Sequence, residues 1–442
     1  MKNNLLLICL FWAGLANAQI PFTKQAVSHA TGAASSQAID LDGDGDLDIV
    51  TAEASGRRIS WAQNDGSENF TKIIISNTGE VDRPESVFVV DLDGDNDLDV
   101  LVASFMNDRV LWYENDGSEN FTMNLISTNA DGAEDVRAID LDQDGDLDVL
   151  SASRLDNKLA WYENDGNQNF SPHTITTNIN WAVDLDIEDI DNDGDLDVVG
   201  SSETNGTINW YENNGSQQFT EHAVATLGGG AFTINAVDLD NDLDIDFLAP
   251  SVYGDSLVWY ENDGLQNFTV HTISYAMDGP TCLIAADMDG DSDLDLVASS
   301  LGDDRIAWFE NDGNQNFNMH TVYTQADGAW NVIAVDLNQD NRMDIVSSSR
   351  SGHFVDWFEN TLGVDVKKLA SSEPVTVYPN PANKQLTIAL EEVEEVLVFN
   401  TLGVLVLQTT ATTFSVQTLN KGNYFMQIKT PKGTYLSQFT KK

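Results

Sequence analysis

Seven times, this 442-residue chain sets oxygen-bearing side chains at alternate positions of a nine-residue run. The runs are DLDGDGDLD from Asp40, DLDGDNDLD from Asp91, DLDQDGDLD from Asp140 and DIDNDGDLD from Asp189. DLDNDLDID follows from Asp238, DMDGDSDLD from Asp287 and a degraded DLNQDNRMD from Asp336. Carboxylates this close repel by roughly 1 kcal/mol per pair even through water, and an ordinary polar turn needs only one or two Asp or Asn. Oxygens at positions 1, 3, 5 and 9, with the carbonyl of position 7 between them, instead wrap a hard cation as the first half of an EF-hand loop does. Calcium is the cation expected, at up to seven sites.

The first site would use Asp40, Asp42, Asp44, Asp46 and Asp48, and the second Asp91, Asp93, Asp95, Asp97 and Asp99. The third would use Asp140, Asp142, Asp144, Asp146 and Asp148, and the fourth Asp189, Asp191, Asp193, Asp195 and Asp197. The fifth has Asp238, Asp240, Asp242, Asp244 and Asp246, but Leu243 replaces the glycine that eases the sharp turn at position 6. The sixth has Asp287, Asp289, Asp291, Asp293 and Asp295. Asn96 and Ser292 are milder departures at position 6. The seventh, Asp336, Asn338, Asp340 and Asp344, has lost a charge and gained Arg342, so it is expected to be the weakest. Position 12 of the first run is Thr51 rather than Glu, and the flanks read as strands, so these are not EF-hands.

The elements that must position these runs repeat with them. The runs begin 51 residues apart once and then 49 apart five times. A second motif keeps the same beat, from WAQNDG at Trp61 through WYENDG at Trp112 to WFEN at Trp357. Within one period, SVFVVDLD, DLDVLVAS, RVLWYEN and FTMNLIST read as four short strands, with Asn-Asp-Gly making a hairpin turn. Four strands in each of seven repeats predict an all-β chain built on a seven-bladed β-propeller. A parallel β-helix is the alternative, but its repeats are usually shorter. The last copy lacks a fourth strand, and the spare strand PFTKQAVS at 21–28 would complete it and close the ring.

At this point the chain resembles the FG-GAP/VCBS repeat family, whose members include the integrin α-subunit propeller and carry D-x-D-x-D-G-x-x-D between the first two strands of a blade. The likeness covers about 340 residues. It implies a structural role for the calcium.

The net charge of −51 opposes nucleic acid as a partner, while 41% hydrophobic residues and ten Trp oppose disorder. Residues 1–18 read as a secretory signal peptide ending in Ala16-Asn17-Ala18, and no transmembrane segment is expected in the mature chain. Removing it leaves Cys282 alone, so no internal disulfide is expected. Trp61 and its six counterparts recur too strictly to be sugar platforms and should pack between blades. His173, His222, His271 and His320 are likewise repeat positions rather than a catalytic set.

Function is sought where the repeat varies, on the face opposite the acidic runs. The loops between second and third strands hold seven of the twelve basic residues of 19–362: Arg57, Arg58, Arg109, Arg154, Lys158, Arg305 and Arg350. Loops entering the first strands add Trp181 and Trp330. A ligand face of Arg57, Arg109, Arg154, Trp181, Arg305, Trp330, Arg350 and His353 would bind an extracellular glycan, acidic polysaccharide included, or a protein. Against that stands simple charge balance with nearby Asp. A polysaccharide lyase using His353 or Tyr253 as base, with Arg305 or Arg350 neutralising a uronate, is the enzymatic alternative, and a purely structural surface protein is the third.

After the propeller (19–362) and a linker (363–372), residues 373–442 change character. Residues 19–362 hold 66 acids and 12 bases, whereas 363–442 hold 6 and 8. Alternating strands and Gly turns predict a small β-sandwich. Tyr378-Pro379-Asn380-Pro381, the NTLG turn at 400–403 and Leu419-Asn420-Lys421-Gly422-Asn423-Tyr424 resemble the C-terminal sorting domain of type IX secretion substrates. That resemblance implies the type IX secretion machinery as a partner and export across the outer membrane, so the chain should be secreted or held at the cell surface.

Overall fold

Each 49-residue period folds as a four-stranded antiparallel meander. The computed structural model describes residues 22–361, 375–390, 393, 395–399, 405–430 and 433–442. The expected signal peptide (1–18), the linker (363–372) and the NTLG turn lie outside the described residues. In the second blade the strands are Pro84–Val90, Asp99–Ser104, Arg109–Asn115 and Phe121–Ser127, paired in that order. The second strand, DVLVAS, is buried along its whole length, whereas the fourth, FTMNLIS, is half-buried to exposed, with no residue fully buried. That gradient follows from position: the middle strands have a neighbouring blade on each face, and the outer strand faces water.

Seven such sheets close into a ring, as the repeat count requires. The seventh is completed by the N-terminal strand Phe22–His29, which pairs with Phe354–Asn360 from Phe22 opposite Asn360 to His29 opposite Phe354. The first strands stand side by side around the axis, and Ala33–Ile39 of blade one packs against Ala329–Val335 of blade seven. Every blade is thereby a complete four-stranded sheet with its first strand at the channel edge.

The tryptophans fill the seams between blades. Trp61 of blade one packs with Val87, Val100 and Tyr113 of blade two, and Trp357 of blade seven with Ile49 and Ala62 of blade one. Trp112, Trp161, Trp210 and Trp259 do the same at the seams between. His173, His222, His271 and His320 stack on the Trp of their own blade at 4.4–4.6 Å between ring centres, confirming them as packing positions.

A second compact unit begins at Thr361. Its strands Val377–Tyr378, Gln385–Ile388 and Thr413–Ser415 form one sheet, and Glu395–Phe399, Leu405–Thr409, Gly422–Thr430 and Gly433–Lys441 another. Leu386, Val396, Val398, Met426, Ile428 and Phe439 share its core. Asn380 clasps the last strand, accepting from Thr440 N at 3.0 Å and donating to Gln438 O at 3.2 Å. Among the described residues no helix is long and apolar enough to cross a membrane.

Emptying a seam should be costly. Trp61→Ala is expected to destabilise the propeller by about 3–5 kcal/mol, and the half-exposed Trp181→Ala by less than about 1 kcal/mol. Denaturant unfolding checks this, and equal losses would contradict the seam assignment.

Candidate metal turns and the channel mouth

The acidic runs lie between first and second strands, where the chain reverses over nine residues. Within the first, Gly45 N donates to Asp40 Oδ2 (3.0 Å), Asp44 N to Asp42 Oδ1 (3.2 Å) and Asp46 N to Asp44 Oδ1 (3.0 Å). Asp40, Asp42 and Asp44 thus each spend an oxygen on folding the turn, and Asp42 Oδ2 also accepts from Gln63 Nε2 at 2.6 Å. Carboxylate oxygens of Asp40, Asp42 and Asp44 come within 4.8 Å of one another, as do those of Asp91, Asp93 and Asp99, and of Asp189, Asp191 and Asp197. Asp140, Asp142, Asp144 and Asp238, Asp240, Asp242 cluster in the same way. Asp40 Oδ1 and Asp240 Oδ1 are buried with no hydrogen-bond donor. Convergent, partly orphaned oxygens fit a hard cation.

The ninth-position aspartates have a second task that the sequence did not announce. Asp48 is fully buried, and its two oxygens accept from Leu41 N (3.2 Å) and Asn64 N (2.7 Å), fastening the turn to the third strand. The same pair of bonds recurs at Asp99, Asp148, Asp197, Asp246, Asp295 and Asp344. Burial pushes Asp48 and Asp295 up to about 6 and Asp99, Asp148, Asp197, Asp246 and Asp344 to about 7. Burial also raises Asp93, Asp142, Asp191 and Asp240, helped by neighbouring Asp and by Glu114, Glu163, Glu212 and Glu261 of the W-Y-E-N motif. These glutamates enlarge the local negative charge, a contribution sequence reading missed. Glu163, Glu212 and Glu261 also bond His173, His222 and His271 at 2.6–2.8 Å.

The seventh-position side chains point elsewhere. The carboxylates of Asp46, Asp97, Asp146, Asp195, Asp244 and Asp293 lie over the glycine of the Asn-Asp-Gly (or Asn-Asn-Gly) turn in their own blade, where any Cβ would collide with them. In the fifth run Leu243 keeps the turn, donating to Asp238 Oδ2 at 3.0 Å, but at φ +77° and 80% exposed. In the seventh, Arg342 lies 3.3 Å from Asp340 Oδ2, placing a competing cation in the turn.

On the opposite face, the basic loop residues do not form an open cationic surface. Arg57 pairs with Asp82 (3.1 Å), Arg58 with Glu53 (2.9 Å), Lys158 with Asp156 (2.6 Å) and Arg305 with Asp303 (2.9 Å). Arg109 donates to Glu80 O at 3.2 Å, and His353 Nδ1 accepts from Gly32 N at 2.9 Å. Charge balance, rather than a polyanion track, accounts for these four arginine and lysine side chains, and a backbone carbonyl holds Arg109. The lyase set is not assembled either, since Tyr253 bonds Glu203 and Arg350 bonds Glu85.

Four of the expected ligand residues do gather, around the mouth of the central channel. Arg350 stacks on Trp330 (4.1 Å) and Arg154 on Trp181 (4.3 Å). Trp330 meets Phe232 edge-on at 4.8 Å. Arg154 also holds Glu134 (3.0 Å) and Glu203, and Glu85 holds both Arg350 and Arg83. Deeper in the channel, Arg137 bonds Asp135 (3.0 Å) and faces Asp184 (3.6 Å). A cavity of about 340 Å3 opens here, lined by all seven first strands. Burial, with the Glu85 charge adding, raises Glu134 to about 8.

A closed ring of seven four-stranded blades with an acidic turn in each defines a β-propeller of acidic-turn repeats. The FG-GAP-like repeat model matches six overlapping stretches, 40–102, 91–151, 140–200, 189–249, 238–298 and 287–347. The chain belongs to the FG-GAP-like repeat family, whose repeats often bind calcium. Residues 376–442 match the secretion system C-terminal sorting domain, which marks the chain for type IX export to the outer membrane or cell surface. No curated protein matches the chain significantly. Among solved structures it is similar to virginiamycin B lyase from Staphylococcus aureus (11% identity, 76% of this chain and 98% of that one, TM-score 0.56). It is also similar to BBS1N in complex with ARL6DN (8% identity, 77% and 97%, TM-score 0.56). A lectin from Agrocybe aegerita aligns with a TM-score of 0.49 at 16% identity over 74% and 86%. At these identities the first two likenesses concern the fold alone.

Two outcomes follow from the turns. Leu243→Gly relieves a left-handed backbone cost of about 1–2 kcal/mol, which outweighs the roughly 0.4–1 kcal/mol of chain entropy glycine adds to the unfolded state. The calcium-loaded melting temperature should rise, and a fall would contradict the strain. For pH, the ninth-position carboxyls hold protons in the metal-free fold up to about 6–7 that the unfolded chain releases near 4. Raising pH across that window therefore destabilises the metal-free fold, while a cation that needs the carboxylate binds better. Melting with chelator and with calcium at pH 5 and pH 7.5 should give a calcium increment that grows with pH; an equal increment would contradict it.

Proposed function

We propose that this chain is a secreted or cell-surface propeller, stabilised by calcium in up to seven turns, that binds an extracellular ligand at the face opposite those turns. When bound, calcium would neutralise the gathered carboxylates of positions 1, 3, 5 and 9, using Asp40, Asp42, Asp44 and Asp48 in the first turn and their counterparts elsewhere. The chain's own part is to shape each turn through its backbone N–H groups and to anchor it by the buried ninth aspartate.

The observation that carries the ligand reading is the channel mouth. Phe232 and Trp330 line an open cavity of about 340 Å3, and Trp181 (40% exposed) and Tyr253 stand beside it, tied to the Arg154–Glu203 pair. A concave site with aromatic walls and a few fixed polar groups suits a sugar ring, with a protein loop as the variant. Arg154 and Arg350 each cover one indole face, which holds the rings still. Because the loop cations are already engaged, a glycan without acidic groups suits this face better than an acidic one. The separate partners of His353, Tyr253, Arg305 and Arg350 favour binding over a lyase reaction.

The test mixes the calcium-loaded full chain with neutral and acidic polysaccharides and follows both components by size-exclusion chromatography. Co-elution of a neutral polymer at unchanged length, weakened tenfold or more by Trp181→Ala or Trp330→Ala, is expected. Shortened polymer would overturn the reading in favour of an enzyme, and no co-elution with any polymer would leave a protein partner or a scaffold.

A further inference from the structure

The channel beneath the mouth carries more negative charge than its own cations answer. Six carboxylates meet there, those of Glu85, Glu134, Asp135, Asp184, Asp186 and Glu203, all buried or nearly so. Four guanidinium groups reach them, from Arg83, Arg137, Arg154 and Arg350. The imbalance is sharpest in the channel, where Asp135, Asp184 and Asp186 share Arg137 alone among the described cations. Asp135 is 4% exposed; its Oδ1 accepts from Ser86 Oγ (2.7 Å) and from Arg137 (3.0 Å). Its Oδ2 is buried and receives no donor, and the Asp184 carboxylate beside it is another acceptor. Two buried acceptors set against each other need a cation or a proton between them.

We propose that the channel mouth is a binding pocket for a small ligand bearing a protonated primary amine, seated on Asp135 and Asp184 with its carbon skeleton against Phe232 and Trp330. The cavity, about 340 Å3, is far too large for a bare metal ion and falls at the lower end of small-molecule sites. An ammonium supplies the donor that Asp135 Oδ2 lacks beside the Asp184 carboxylate, whose Oδ2 accepts from Ile234 N at 2.8 Å, and the edge-to-face aromatic pair supplies apolar area. The raised proton affinities of Asp184 and Glu134 have the same origin: burial first, then a neighbouring carboxylate. Anionic ligands are excluded by the same excess charge. The backbone at the rim is strained to form this mouth. Five copies have glycine eight residues before the acidic run, while Arg83 and Trp181 hold that left-handed position at φ +54° and +56°.

This inference rests on the reading of this face as the ligand face, and it narrows the ligand to an amino sugar or an aliphatic polyamine. The calcium-loaded full chain is titrated calorimetrically with glucosamine and with putrescine, against glucose, N-acetylglucosamine and gluconate. At least one amine is expected to bind ten times more tightly than every control, and Asp135→Asn is expected to weaken it tenfold or more. Glucosamine binding without putrescine identifies the amino sugar, and the reverse the polyamine. No binding of either amine, or equal binding of a control, overturns the proposal on the wild-type protein alone, should Asp135→Asn fail to fold. A neutral polysaccharide that co-elutes while neither amine binds keeps the ligand face and removes the ammonium pocket. Amine binding with no polymer retained keeps the pocket and removes the polymeric glycan.

Discussion

One buried carboxylate per blade holds the architecture together. Each ninth-position aspartate, from Asp48 to Asp344, accepts one backbone N–H from its own turn and one from the third strand sixteen residues on. A charge-assisted bond to backbone N–H is among the stronger ones a protein makes, and here it locks a reversal to the strand beside it. The other carboxylates of the run can then be gathered at a fixed point. Burial raises the proton affinity of the anchoring group, so the fold and the cation need opposite forms of it: the metal-free fold favours the acid and the cation favours the base.

The ring closes because its seams are filled at the same beat. Tryptophan recurs on the third strand and lands between blades, where it packs on the valine and tyrosine of the next. Histidine on the outer strand stacks on that same indole and hands its other side to glutamate. Repetition therefore accounts for the seam tryptophans and the four histidines stacked on them. What departs from the repeat lies around the channel, where the first-strand columns hold Glu85, Glu134, Phe232 and Trp330 at one position and Asp135, Asp184, Cys282 and Asn331 at the next.

Charge divides the molecule's two faces by different means. On the turn face the acids face one another, their oxygens within 4.8 Å. On the mouth face the arginines are answered by glutamate and aspartate, so that a cluster of basic residues in sequence is close to neutral in space. Arg57 and Arg305 show this most directly, each within 3.1 Å of an aspartate. Short-range pairing cancels the field that a polyanion would follow.

The sequence by itself determined the repeat, the four strands per blade, the seven-bladed ring and the strand at 22–29 that closes it. Those depend on periodicity and alternation, which are local properties written in order along the chain. The sorting domain was legible for the same reason, through short motifs such as Tyr378-Pro379-Asn380-Pro381. It also located the acidic turns, since five oxygens in nine residues need no distant partner to be noticed. Only the tertiary structure decided that Asp48 and its counterparts fasten the turn to the third strand, that Asp46 and its counterparts lean on a glycine, and that Arg57, Arg109 and Arg305 are already engaged. It alone brought Asp135, Arg137 and Asp184 to one point, because closing the ring sets side by side first strands that lie about fifty residues apart in the chain. Contacts between equivalent positions of different blades leave no periodic trace in the sequence.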